Sequence, residues 1–451
     1  YNFLCPEINR IRTVTGCVAT AVAILMRYYE WPDVGTGTLP AYNYTAHING
    51  REISQTVPER TLGNTYAWNN MPLEYDWNSS EVTENEVATL MYDCGVMAQA
   101  EFNIASAGGT GAATLTAVRG LAEYMKYDKS MLCLRREWYS DTEWIQMVEN
   151  EIMTVGPVLY GGATLSNEGH QFILDAYTTE NYFRVNWGWS GHSNGFFLIS
   201  ALNPDDQGAG GSTGGGFIAN QDALFGLKPA KGNSNYQTLL GMLAGKTGSG
   251  ESYSGLMTSE TQFNVNTNFT VKCGFFWNLG LIPFSGKVAL AIVDKNQNVR
   301  ELISGTSSIP SMNTYGGMAF TFPCKISLSP QPGDRIVAVY KGTNDADWKI
   351  VRGGSDTTNE IIVKTDPTPI IETEQETQFT VYCDKQQGTV IAHLPENSHT
   401  LNIYDVNGRL LRQILSEGKE TITFSCREYP TGVYILQVIT DKGSQQCKFL
   451  K

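Results

Sequence analysis

The sequence has little charge and no long hydrophobic run. Only 17% of its 451 residues are charged, and the net charge of −13 comes without any cluster of lysine and arginine. This balance argues against nucleic acid or an anionic membrane surface as a partner. Because no apolar stretch approaches the roughly 20 residues that a membrane span requires, we expect no transmembrane segment.

The cysteines lack the spacing of a metal site. Nine are scattered along the chain without a CxxC pair or a cluster with histidine. Structural zinc is therefore not expected, and the sequence indicates no other metal and no cofactor. The odd number leaves at least one thiol unpaired, and Cys17 is the natural candidate. Pairing of Cys273 with Cys324, or of Cys383 with Cys426, is left open.

The chain starts at Tyr1, without a methionine or a signal-like segment. We therefore expect that any targeting segment or pro-segment was removed or precedes the given sequence. With 45 glycines, 22 tyrosines and 9 tryptophans beside few charges, the composition favours a β-rich protein outside the cytoplasm.

Helical periodicity is confined to the first half of the chain. Apolar residues recur at helical spacing in a segment that begins at Cys17 and in the segments 84–97, 113–127 and 142–154. The pattern then changes to that of strands, at 158–160, 171–177, 182–187 and 196–201. Helices followed by an antiparallel sheet predict the α+β class.

Two linkers predict three domains. The first linker is 232–235, and the second, 364–369, contains two prolines and should be extended. We expect an α+β domain at 1–229, a β-sandwich at 236–365 and an all-β domain at 372–451.

The tripeptide Thr15-Gly16-Cys17 places a thiol at the start of the first helix. Thr15 is a candidate cap, and Gly16 permits a tight entry. A cysteine there feels the positive end of the helix dipole, which favours the nucleophilic thiolate. Free cysteine is also among the most buried residue types, so a packing role is the alternative.

A cysteine nucleophile needs a general base, and the sequence has only five histidines. His393 and His399 lie in the last predicted domain, and His47 lies in what reads as a turn-like, solvated loop. His170 opens an apolar strand about 150 residues after Cys17, close to the papain-type spacing. A core histidine is the alternative interpretation.

The dipeptide Asn186-Trp187 ends the next predicted strand. An amide there could accept the imidazole N–H and orient the ring, while an indole could shield that contact from water. Core packing would also explain the tryptophan. The order of cysteine, histidine and Asn-Trp along the chain nevertheless favours a cysteine peptidase.

Two other motifs are weaker. Residues 191–195 match the G-x-S-x-G elbow of serine hydrolases, but a strand follows where a helix is required. Residues 294–298 are only partly similar to a calcium loop, since Val299 stands where glycine is needed. Both are predicted to be turns.

These segments resemble the streptopain-like cysteine peptidases, a family with a papain-like fold. The resemblance covers roughly residues 1–229 and rests on the stretches 13–21, 169–170, 185–191 and 193–197. It implies that Cys17 is the nucleophile and His170 its base. It also implies that Asn186 and Trp187 belong to the segment that positions the histidine.

The resemblance extends to substrates and partners. It implies protein or peptide substrates, contacted by Ser106 and Gly169, with Trp189 in the substrate-side wall. Family zymogens carry a pro-domain that blocks the cleft, so a pro-domain or a protein inhibitor is an expected partner. The family's oxyanion-hole glutamine falls before Tyr1, and we expect it either to precede the given sequence or to be lost.

The C-terminal segment resembles the sorting domain of the type IX secretion system of Bacteroidetes. The resemblance rests on residues 401–409 and 429–434 and ends near Lys448. It implies export by the type IX machinery to the cell surface or the medium. The middle domain is only loosely similar to immunoglobulin-like modules. The expected architecture is a papain-like α+β domain followed by two small all-β, immunoglobulin-like sandwich domains.

The residues and the resemblance together predict a secreted cysteine endopeptidase, which forms an acyl-enzyme through a Cys-His dyad. Two alternatives stay open. In one, the papain-like domain is catalytically impaired and the protein is a surface binding or adhesion protein. In the other, the same residues serve an amidase or transglutaminase.

Overall fold

The structure is a computed structural model, and it describes residues 1–76, 78–205, 207–208, 211, 215–363, 379–384, 388–405, 409–416, 418–441 and 443–451. They form two compact units, Tyr1–Lys364 and Thr365–Lys451. The predicted linker at 364–369 and positions 406–408 of the sorting motif lie outside the described residues. The division into three domains stays a prediction.

The first unit contains the four helices that the periodicity predicts. They are α1 (Cys17–Tyr29), α2 (Glu81–Met97), α3 (Thr114–Tyr124) and α4 (Asp141–Thr154). The start of α2 precedes the predicted position because Ser80 caps it, accepting a hydrogen bond from the Thr83 N–H at 3.2 Å.

Helix α1 lies in the main core of the first unit. Its residues Val18, Val22, Leu25 and Met26 recur at helical spacing and are all buried. They share a core with side chains of α2, α3 and the main sheet. Burial of each of the larger side chains stabilises the fold by about 1.5–3 kcal/mol. The helix ends at Tyr29, and the C-cap residue Glu30 adopts the left-handed conformation.

The strands of the first part of this unit are β1 (Glu7–Ile8), β2 (Ile11–Arg12), β3 (Thr38–Leu39), β4 (Tyr42–Ile48), β5 (Arg51–Val57), β6 (Arg60–Thr61), β7 (Leu132–Arg135), β8 (Val158–Ala163), β9 (Gly169–Tyr177), β10 (Tyr182–Asn186), β11 (Gly195–Leu198) and β12 (Ala219–Phe225). The main sheet is antiparallel and has the order β11-β10-β9-β8-β12-β7. The predicted strand 196–201 is too long at its end, since Ile199–Ala201 form a 3₁₀ turn.

Strands β4 and β5 form a hairpin that the sequence analysis missed. His47 pairs with Glu52 in this hairpin, so its predicted place in a turn-like loop is wrong. Its side chain is exposed, as expected, because the flanking residues Ala46 and Ile48 point to the core and strand residues alternate in direction. The alternation of buried and exposed residues along β4 predicts a strand, whereas the turn-forming residues near His47 suggested a loop.

The second part of the first unit consists of strands. They are β13 (Leu240–Met242), β14 (Gly245–Lys246), β15 (Ser252–Tyr253), β16 (Gly255–Met257), β17 (Asn268–Asn278), β18 (Phe284–Val293), β19 (Val299–Leu302), β20 (Ser307–Met312), β21 (Gly317–Lys325), β22 (Arg335–Gly342), β23 (Lys349–Ile350), β24 (Arg352–Gly353) and β25 (Glu360–Ile362).

Two sheets of these strands, one built around β17 and one around β18 and β22, contribute to a common core. Val271 and Phe322 come from one sheet, and Leu290 and Ala338 from the other. This confirms the all-β character, while the immunoglobulin-like assignment stays a prediction. This part also packs on the preceding one, where Arg352 lies over the Tyr139 ring at 4.6 Å.

The second unit is described by β26 (Thr380–Asp384), β27 (Thr389–His393), β28 (Ser398–Tyr404), β29 (Leu410–Leu415), β30 (Thr421–Ser425), β31 (Val433–Thr440) and β32 (Gly443–Leu450). These strands form a three-stranded and a four-stranded sheet. Val390, Leu401, Phe424 and Leu436 are buried in its core. The predicted all-β nature of this region is confirmed.

The structure answers the questions of disulfide pairing and of membrane-spanning helices. Cys273, Cys324 and Cys426 are free, so neither of the two disulfide pairs left open by the sequence is formed. Cys17 is free as well. In the described part of the chain, every helix is too short or too polar to cross a membrane.

Candidate active site

One cleft in the first unit contains both Cys17 and His170. The cleft has a volume of about 570 Å³. It is lined by residues of β8, β9 and β12 of the main sheet, of β4 and of the segment 101–112. Cys17 is partly buried at the start of α1, and His170 is the second residue of β9.

The backbone before Cys17 requires glycine. Gly16 has φ +90°, and a Cβ there would lie 2.7 Å from the Thr110 carbonyl oxygen. The prediction that Thr15 caps the helix is wrong, since Gly16 is the N-cap residue and the Thr15 hydroxyl donates to Asn2 Oδ1 at 2.8 Å. With no side-chain cap on α1, the N–H groups of its first turn remain available to an anion beside Cys17.

The His170 imidazole is held by a main-chain carbonyl. Its Nε2 donates to the Trp187 carbonyl oxygen at 2.9 Å. Since a carbonyl only accepts, the neutral ring carries its proton on Nε2 and leaves the lone pair on Nδ1. His170 is 4% exposed, and its Nδ1 has no hydrogen-bond partner within the described residues. Nδ1 is therefore the nitrogen available to take a proton.

The turn after β10 fixes the Trp187 carbonyl. The Asn186 side-chain oxygen accepts from the Gly188 N–H at 3.1 Å, so this amide stabilises the turn and is not the group that contacts the imidazole. The Trp187 N–H donates to Asn194 Oδ1 at 3.0 Å, and its indole N–H donates to the Ser193 carbonyl at 3.0 Å. The G-x-S-x-G segment is a turn, as predicted, and it supports Trp187.

Of the three residues predicted to contact substrate, the structure places one in the lining of the cleft. Gly169 lines the cleft. Ser106 is exposed on a short 3₁₀ turn, and its neighbours Ala107 and Gly108, rather than Ser106 itself, line the cleft. Trp189 is buried and stacks on the imidazole, with 4.5 Å between ring centroids. Its position encloses His170.

Burial acts on the protonation of both central groups. It raises the pKa of the Cys17 thiol, against the opposing effect of the main-chain N–H groups of Gln171, Val18 and Cys17. It lowers the pKa of His170 to about 4, against the hydrogen bond to Trp187. Burial thus opposes the thiolate-favouring helix terminus that the sequence suggested, and it favours the neutral form of both groups.

Sequence reasoning missed the polar floor of the cleft. Gln171, Asp222 and Thr114 all line the cleft with Cys17. Asp222 lies within the strand β12, between buried residues, and a carboxylate at such a position was a signal that sequence reading could have used. Asp222 shares a cleft with Cys17 because β12 pairs with β8, and the sequence does not show which strands pair.

Comparison with protein families agrees with this arrangement. Residues 1–197 match the peptidase C10 family, and this range includes Cys17, His170 and the turn at Trp187. The chain carries a peptidase C10 domain. The C10 domain confirms the resemblance to the streptopain-like peptidases.

The chain is similar to named proteins of two bacteria. Streptopain of Streptococcus pyogenes is 33% identical over 245 residues, which cover 51% of this chain and 58% of streptopain. The thiol protease/hemagglutinin PrtT of Porphyromonas gingivalis is 34% identical over 216 residues, 48% of this chain and 24% of PrtT. This chain therefore spans less than two thirds of either relative.

A solved structure is also similar to the C10 domain. It is active wild-type interpain A, a cysteine protease of Prevotella intermedia, with 33% sequence identity and a TM-score of 0.42. The similarity covers 50% of this chain and 88% of interpain A.

The C-terminal prediction is also confirmed. Residues 380–451 match the secretion system C-terminal sorting domain, the type IX sorting domain. A sorting domain of this kind indicates export. The chain thus combines a C10 domain with an export signal.

Proposed function

We propose that this protein is a secreted cysteine endopeptidase in which Cys17 is the nucleophile and His170 the general base and acid. The observation that carries the proposal is the state of His170. One ring nitrogen is held by the Trp187 carbonyl, while the other is buried without a hydrogen-bond partner among the described residues, in the cleft that Cys17 lines. A general base needs this combination of fixed orientation and a free lone pair.

Acylation follows from these positions. The proton of Cys17 Sγ moves to His170 Nδ1, and the sulfur attacks the carbonyl carbon of the scissile peptide bond. The negative charge that develops on the carbonyl oxygen is stabilised by the Cys17 N–H, in the uncapped first turn of α1. His170 then returns the proton to the leaving amine, and a thioester to Cys17 remains.

Deacylation uses the same groups in reverse. His170 Nδ1 takes a proton from a water molecule, whose oxygen attacks the thioester carbonyl, and the proton then passes to the departing sulfur. The Trp187 carbonyl stabilises the imidazolium in both steps because it accepts the Nε2 proton throughout. The stacked Trp189 ring keeps bulk water from one face of the imidazole.

The partners follow from this activity and from the sorting domain. We propose unfolded proteins or peptides as substrates, and the type IX machinery as the export partner. The catalytically impaired binding protein remains the principal alternative, because burial favours the neutral forms of both Cys17 and His170.

A variant of Cys17 tests the proposal. Cys17→Ala should abolish hydrolysis of casein, while Cys447→Ala, which changes a thiol in the second unit, should retain it. Thermal unfolding of both variants checks that they fold. In the unchanged protein, iodoacetamide should label Cys17 faster than the other thiols, because His170 takes the thiol proton as the sulfur attacks; mass spectrometry follows the labelling. Hydrolysis by folded Cys17→Ala would refute the proposal, and slow labelling without hydrolysis would favour the binding protein.

A further inference from the structure

A row of three residues crosses the floor of the cleft. Asp222 on β12 pairs with Gly161 on β8, and Gly161 pairs with Gln171 on β9. Directly paired residues of neighbouring strands point to the same face of a sheet. All three line the cleft together with Cys17. The Asp222 and Gln171 side chains therefore stand on either side of a residue without a side chain.

Because Gly161 has no side chain, the ends of the Asp222 and Gln171 side chains both have room above it. A Cβ at this position would lie 2.6 Å from Asp222 Oδ1 and 2.7 Å from Gln171 Oε1, closer than atoms of this kind pack. Both polar ends thus reach into the volume that any other residue at 161 would occupy. The carboxyl group and the amide therefore fill the space directly above Gly161, and the polar recess of the cleft floor is lined by these two groups.

The hydrogen bonds of this recess are incomplete. Gln171 is 6% exposed, and its Oε1 accepts from the Thr114 hydroxyl at 2.8 Å. Its Nε2 and the Asp222 Oδ1 are buried, and neither finds a hydrogen-bond partner in the part of the chain that the structure describes. Leaving buried polar atoms unpaired costs about 1–3 kcal/mol for each. The recess therefore has unused capacity for a polar ligand.

The charge of the recess is negative at neutral pH. Burial raises the pKa of Asp222 to about 6, and the rise is opposed by the positive charge of Arg135 and by the adjacent Gln171 amide, which lies close to Asp222 but outside hydrogen-bond geometry. Arg135 is the paired neighbour of Asp222 on β7, but its guanidinium pairs with Glu137 at 3.4 Å and makes no ion pair with Asp222 among the described residues. Burial and, to a smaller extent, the charge of Asp222 raise the pKa of Cys133, Tyr160 and Tyr315, and these three groups are neutral at this pH.

We propose that this recess is a subsite that selects a lysine or arginine side chain of the substrate. The terminal ammonium or guanidinium would donate to Asp222 Oδ1 and neutralise the carboxylate, while the aliphatic part of the side chain lies in the cleft over the two polar groups. The subsite rests on the proposed peptidase function, since it gives that cleft its substrate preference. Arg and Lys match because a cation paired with a desolvated carboxylate forms a strong, charge-assisted hydrogen bond.

A substrate series with the unchanged protein is the first test. Internally quenched peptides would carry lysine, norleucine, glutamine or glutamate at one position, and each position on both sides of the scissile bond would be varied in turn. At one position, lysine should exceed norleucine in kcat/KM on the order of 10-fold or more, with glutamate the poorest. No lysine preference at any position, or a preference for glutamine over lysine, would overturn the subsite.

Removal of the charge is the second test. Asp222→Asn should reduce the lysine-to-norleucine ratio towards one. Asp175→Asn is the matched control, because Asp175 lies on the same sheet and pairs with Arg184 outside the cleft. Alkylation of Cys17 and thermal unfolding verify each variant, and the peptide series decides the question if Asp222→Asn does not fold. An unchanged ratio in folded Asp222→Asn would refute the subsite, whereas absence of any Cys17-dependent cleavage would refute the peptidase function itself.

Discussion

Burial of the His170 imidazole predicts that acid destabilises the first unit. His170 is 4% exposed, its ring lies under Trp189, and burial lowers its pKa to about 4 from an ordinary value of about 6.5. The folded state therefore binds this proton more weakly than the unfolded chain does. The resulting stability is complete above about pH 6.5 and is lost progressively as the pH falls from about 6.5 to about 4.

The size of the effect follows from the two pKa values. Each pKa unit of difference corresponds to about 1.36 kcal/mol, so the full effect is about 3 kcal/mol at acidic pH. Between pH 7.5 and 4.5, this histidine alone should remove roughly 2.5 kcal/mol from the free energy of unfolding. Other groups also titrate in this range, and a variant that lacks only the imidazole separates their contribution.

Urea unfolding at the two pH values measures this contribution. Cys17→Ala serves as the reference because it removes coupling to the thiol, and the double variant Cys17→Ala/His170→Gln should lose about 2.5 kcal/mol less on acidification. His192→Gln in the same reference is the matched control, since His192 is exposed. NMR titration of the His170 ring gives an independent value. Equal pH dependence with and without His170, or a ring that titrates near pH 6.5, would refute the reasoning.

Two further predictions concern the backbone that holds the site. Gly16→Ala should cost about 1–3 kcal/mol of stability, because its Cβ meets the Thr110 carbonyl, whereas Gly50→Ala, with φ +75° and open space around the Cβ, should cost less in thermal unfolding. Equal losses would contradict this. Asn194→Ala removes the acceptor of the Trp187 N–H and should lower kcat/KM about 10-fold through a less ordered carbonyl; an unchanged kcat/KM would show that this bond does not position the histidine.

The sequence determined the elements that carry the proposed dyad. Apolar residues at helical spacing after Cys17 predict α1, since a helix with one buried face needs them. The apolar run after His170 likewise predicts β9. Both signals are local, and they depend on neighbours within a few residues of the chain. The sorting segment was identified for the same reason, from contiguous residues that match a known pattern.

The choice of the group that orients His170 required the tertiary structure. The sequence pointed to Asn186-Trp187 but left open which side chain makes the contact. The turn at Gly188, with φ +77°, directs the Trp187 carbonyl at Nε2 and engages the Asn186 amide locally. A main-chain acceptor has no side-chain signature, so sequence patterns do not reveal it.

The residues that form the polar floor of the cleft, and the protonation of Cys17, likewise depend on tertiary packing. Asp222 reaches Gln171 only because β12, β8 and β9 pair in one register, and a shift by one residue would send each side chain to the opposite face. The thiolate that the helix terminus favours at Cys17 is opposed by burial, which depends on everything packed around the sulfur. Sequence by itself determined which residues stand at the start of a helix or strand, and only the long-range pairing of strands decided what each of them faces.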